Sequence, residues 1–75
     1  MTGNARPRLY RIRIRGVLGE TLLAAFPSLE AERRSGVTVL SGTLPDQAAL
    51  HGVLAEIEAL GLELLEVQSA ARRRA

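Results

Sequence analysis

The chain has no cysteine, no tryptophan and, although ten of its residues are basic, no lysine. The first absence excludes disulfide staples, thiolate metal sites and a cysteine nucleophile, so cohesion must come from packing. Aromatics are reduced to Tyr10 and Phe26, which leaves an aliphatic core of Leu, Ala, Val and Ile. No apolar run approaches the roughly 20 residues of a membrane span, and the opening MTGNARPR lacks the apolar stretch of a signal peptide. The expectation is a soluble cytoplasmic protein with no membrane insertion. There is no Gly-rich phosphate loop, His-Glu metal motif, Ser-His-Asp arrangement or heptad array. No cofactor or metal is expected, and no enzyme activity.

What is present points first to architecture. The segment 43–67, TLPDQAALHGVLAEIEALGLELLEV, reads as a capped helix, a glycine stop and an apolar strand. Leu50, Val53, Leu54, Ile57 and Leu60 recur at the 3.6-residue period of a helix with one face on a core. Thr43 or Asp46 is the expected N-cap, and Pro45 with Asp46 suits a first turn. Gly61 fits the left-handed position after the last turn, and 62–67 supplies a strand.

Upstream, 1–7 reads as a flexible lead-in. Over 9–15 the residues alternate, with Tyr10, Ile12 and Ile14 on one face and Arg11, Arg13 and Arg15 on the other, the period of a half-buried strand. Gly16 breaks it. Leu18, Leu22 and Phe26 at four-residue spacing predict a helix over 17–26, stopped by Pro27. A polar strand over 28–34, the permissive turn Ser35-Gly36 and a β-branched strand over 37–40 predict a hairpin that Gly42 closes. The tail 69–75 is expected to fray, which leaves 8–68 as the folded domain.

The order β-α-β-β-α-β packs most simply as a four-stranded antiparallel sheet with both helices on one face, the ferredoxin-like α+β arrangement. In it the first strand begins, and the last ends, at the same edge. At 75 residues such a domain buries only about 60% of its unfolded surface, so self-association would help it.

At 10–16 (YRIRIRG), 42–54 (GTLPDQAALHGVL) and 60–67 (LGLELLEV), the chain resembles a family of short uncharacterised bacterial proteins, mainly actinobacterial. The resemblance spans nearly all of 9–67. It implies a stand-alone domain, and brings no activity, cofactor or catalytic residue.

Three sets of residues are candidates for function. Arg11, Arg13 and Arg15 should project from the uncovered sheet face with Thr38 and Leu40, while Leu9, Leu40 and one of Leu64 or Leu65 also point away from the helices. Glu30, Glu32 and either Glu63 or Glu66 share that face, so a lattice of Arg and Glu pairs is the plainest reading. RNA-binding sheets stack bases on aromatics, and this face has none, so nucleic-acid binding ranks below the lattice. Charge ringing a few leucines is how a self-complementary interface looks. The preferred expectation is therefore a homodimer through Leu9, Arg11, Arg13, Thr38 and Leu40, a non-catalytic interaction or regulatory module.

The second set, Arg6, Arg8, Arg72, Arg73 and Arg74, should converge near the start of the long helix, where it would hold a phosphate or nucleic-acid backbone. A solvated tail is the commoner outcome. The third is His51, the sole histidine, whose use as a general base would need Glu56 or Glu58 to orient it. A histidine on the helix flank that only packs locally is favoured over that role. Gly52 beside it costs about 1 kcal/mol against alanine in a helix interior, and a close approach by the first helix or by a partner would account for it.

Overall fold

The alternation of 9–15 becomes a strand at the centre of the sheet. A computed structural model describes residues 7–70. Within them lie β1 (Arg8–Arg15), α1 (Glu20–Leu23), β2 (Glu30–Arg34), β3 (Val37–Leu44), α2 (Gln47–Ala59) and β4 (Leu64–Ala70). The four strands form one antiparallel sheet in the order β2-β3-β1-β4. The fold is α+β. Tyr10, Ile12 and Ile14 are buried on one side of β1 and the arginines between them are exposed on the other.

The turn between β2 and β3 follows from two residues. Ser35 and Gly36 have φ of 51° and 77°, the pair of positive angles that a two-residue type I′ hairpin requires. Arg34 is thereby set opposite Val37. Past Gly16 the chain is tied back to this turn, because the Gly16 N–H donates to the Gly36 carbonyl at 2.7 Å.

Helix α2 is closed at both ends by its own residues. Asp46 is the N-cap, its carboxylate accepting from the Ala49 N–H at 2.9 Å, while Thr43 lies in β3. At the other end Gly61, with φ 74°, allows a Schellman closure. The Gly61 N–H donates to Glu58 and the Leu62 N–H to Ile57, at 3.0 and 3.1 Å. Leu50 and Ile57 of the expected stripe are buried. They join Tyr10, Ile12, Ile14, Leu18, Phe26, Leu29, Leu40 and Leu44 in one core cluster, against which Leu22 and Leu23 of α1 also pack. The opposite side of the sheet has no helix from the described residues over it.

Several boundaries differ from expectation, each for a local reason. The first helix is one turn, not 17–26: Leu18 is pulled into the core before it and Phe26 after it, so the four-residue spacing marks core anchors rather than helical turns. Strand β2 starts at Glu30, since Leu29 is buried in the core cluster. Strand β3 runs on through Gly42 to Leu44. A side chain at Gly42 would meet the Ser28 carbonyl oxygen and Leu29 Cδ2 at 2.9 Å, so the glycine admits the chain entering β2 rather than ending a strand. Strand β4 begins two residues late and continues to Ala70, so Ser69 and Ala70, expected to fray, are sheet residues. Its pairing slips between Arg13, opposite Glu66, and Ile14, opposite Leu64, leaving Leu65 as the extra residue of a bulge. Gly52 has nothing within 4 Å of where a Cβ would stand, so no approach by α1 explains it.

Candidate interaction surface

The uncovered sheet face is built in rows, because directly opposed residues of antiparallel strands share a face. One row runs Arg34, Val37, Arg15 across β2, β3 and β1; the next runs Glu32, Val39, Arg13 and, on β4, Glu66; a third runs Glu30, Ser41, Arg11, Gln68. A fourth brings Thr43, Leu9 and Ala70 together. Leu9, Arg11 and Arg13 therefore stand on this face as expected.

Thr38 and Leu40 do not. Both point into the core and are almost fully inaccessible, at 0% and 1% exposure. The face is instead completed by Val37, Val39 and Ser41, each half-buried. Residues 37–40 are all apolar or β-branched, so they carry no alternation from which to read a facing, and a shift of one residue exchanges the two sides of a strand. The hairpin decides it. With Ser35-Gly36 as the complete turn, Val37 must share the face of Arg34, and Val39 that of Glu32. That two-residue turn was the signal by which Val37 and Val39 were readable from sequence.

Thr38 is tolerated inside because its hydroxyl is satisfied there. The Leu18 N–H donates to its Oγ1 at 3.0 Å, and the hydroxyl donates to the Gly16 carbonyl at 2.7 Å. A buried polar group with its bonds made costs little. Thr38 is thus a strut that holds the β1–α1 connection on the core.

The expected cross-strand Arg and Glu lattice is present in part, because β3 separates the carboxylates of β2 from the arginines of β1. Arg13 Nη1 pairs with Glu66 Oε1 at 3.0 Å, Arg15 Nε with Glu63 Oε1 at 2.9 Å, and Arg34 Nη2 with Glu32 Oε2 at 3.0 Å. The first binds β1 to β4, the second ties β1 to Glu63 immediately before β4, and the third lies along β2. All six side chains are well over a third exposed, so each pair contributes at most about 1 kcal/mol. Their main effect is to fix the direction of the charges. Among the described residues Arg11 and Glu30 make no ion pair. A hollow of about 500 Å³ opens on this face, lined by Val37, Val39, Arg11, Arg13, Arg34 and Glu66 among others.

The other candidates are not drawn together in this way. His51 is exposed on α2 and lines neither this hollow nor the apolar one of about 350 Å³ between α2 and β4, formed by Leu54, Ile57, Glu58, Leu62 and Leu64. Among the described residues no group of three or more His, Cys, Asp or Glu side chains is placed to hold a metal. Nor is any helix long and apolar enough to cross a membrane. Of the arginine-rich ends, Arg8 lies opposite Leu44 and donates to Ser69 Oγ at 3.4 Å. The start of β1 and the end of β4 therefore meet beside the entry to α2. Arg6, Arg72, Arg73 and Arg74 lie outside the described residues.

A family model described as a domain of unknown function (DUF8691) matches residues 9–68, which takes in all the strands apart from Arg8 and the last two residues of β4. No curated protein and no solved structure matches the chain.

Proposed function

The chain belongs to the DUF8691 family, and we propose that this member is a non-catalytic interaction or regulatory module that self-associates through its uncovered sheet face. One observation carries the reading: half-buried Val37 and Val39 lie in the middle of that face, between charged strands, with no helix from the described residues over them. Burying apolar area of this kind is the main driving force for association. A chain of 75 residues has a small core and gains from it.

The sign of the charges supports a second protein surface over a polyanion. Arg11, Arg13, Arg15 and Arg34 are matched by Glu30, Glu32, Glu63 and Glu66 on the same face, so it has no net charge with which to attract phosphates. The element order and the strand order β2-β3-β1-β4 fit the ferredoxin-like arrangement, in which the side away from the helices is free to dock. A cytoplasmic homodimer is the form this reading takes.

Sedimentation velocity over about 1–100 μM, the range in which modest interfaces associate, tests it. A species of twice the 8.1 kDa chain mass is expected, and Val39→Arg should return it to monomer. A wild-type chain that stays monomeric throughout removes the reading.

A further inference from the structure

The face contains a pattern that a dimer would use. Arg11 and Glu30 are its two charges without an ion pair among the described residues, and they have opposite sign. They also occupy one row, on either side of Ser41 of β3. Their backbones stand two strand spacings apart, about 10 Å, and no ion pair spans the gap.

From this symmetry we infer that the face pairs with a second copy about a twofold axis running along β3, with Arg11 of each chain on Glu30 of the other. The inference rests on the self-association proposed above and specifies its geometry. A rotation about that axis exchanges the places of β1 and β2 and leaves β3 over β3. Val39 then meets its own copy, which buries the apolar strip at the centre. The β1 of each chain covers the β2 of the other, so Arg13 lies over the partner's Glu32 as Arg11 does over the partner's Glu30. An aligned packing of two sheets crosses at about 30° and keeps them about 10 Å apart. At one strand's distance from the axis that crossing shifts a row by less than the roughly 7 Å between rows. The one like-charged approach is Arg34 over the partner's Arg15, and each of these already holds a carboxylate of its own chain, Glu32 and Glu63.

Other axes fare worse. A twofold axis across the strands at β1 would lay its arginines on their own copies, which opposes association. Pairing at the β2 edge would extend the sheet through the exposed strand EAERR and leave Val37 and Val39 of β3 uncovered.

Charge exchange tests the inference. Arg11→Glu alone sets two carboxylates together twice per dimer, and Glu30→Arg alone does the same with two guanidiniums. Each should weaken dimerisation by at least about 100-fold, with far-UV circular dichroism unchanged. Mixing the two variants should restore a dimer containing one copy of each, resolved by native mass spectrometry, because both contacts between positions 11 and 30 are then oppositely charged. The chain carrying both changes should dimerise with itself. A wild-type chain that is monomeric at 100 μM overturns self-association and this geometry together. A wild-type dimer whose single variants still dimerise, or whose mixture does not recover, overturns the axis alone.

Discussion

Gly52→Ala should stabilise the protein. Gly52 is an interior residue of α2, which spans 13 residues, and glycine there costs about 0.8–1 kcal/mol against alanine through the backbone freedom it must give up. The added methyl meets nothing within 4 Å and the residue is exposed, so no clash offsets the gain. Its backbone has none of the positive φ found at Gly16, Gly36 and Gly61, so alanine adopts it without strain. For a domain of 60–100 residues, 1 kcal/mol corresponds to a rise of about 4–8 °C in Tm. Thermal and urea unfolding followed by far-UV circular dichroism measure it, with wild type and variant at the same concentration because dimerisation would shift both. An unchanged urea slope with a raised midpoint confirms that only stability has moved. Because α2 packs on the core side of the sheet, the variant should also leave the proposed self-association through the other side unchanged. A variant less stable than wild type would refute the reasoning, since it would mean that the methyl collides with something: a surface resting on α2 at Gly52. Loss of the dimer would move the interface from the sheet to that helix.

Thr38→Val keeps the shape of the side chain and removes its hydroxyl, leaving the Leu18 N–H and the Gly16 carbonyl without their partner; a loss of about 1–3 kcal/mol is expected from urea midpoints, while Thr38→Ser should lose less. Gly42→Ala brings a methyl within 2.9 Å of the Ser28 carbonyl oxygen, a backbone atom that cannot turn aside, and should cost about 1–3 kcal/mol by the same measurement. The two glycine substitutions thus carry opposite signs, which separates a helix-propensity effect from a packing one.

Much of the fold was legible because its signals are local. The alternation of Tyr10, Ile12 and Ile14 with arginines needs no neighbour to be read as a half-buried strand, and the period of Leu50, Val53, Leu54 and Ile57 needs none to be read as a helix. Gly61 and Asp46 mark the ends of that helix through backbone geometry and a single hydrogen bond. The region 17–29 misled for the converse reason. Leu18, Phe26 and Leu29 are spaced by the shape of the core they enter, so a short irregular connection imitates a helix followed by a strand. The uncovered sheet face was half legible: Arg11 and Arg13 follow from β1 alone, whereas Val37, Val39 and Ser41 follow only from the pairing across the Ser35-Gly36 turn.

By itself the sequence determined the element types, the basic side of β1 and the order of the α+β chain, because period and capping act within a few residues. The pairing that assigns the facing of β3, the burial of Thr38 and the one-turn length of α1 were decided by tertiary structure. A strand whose first residues do not alternate between polar and apolar has no preferred side until its partners assign one, and a hydroxyl can be buried only where a folded neighbour supplies the bonds that water would have made.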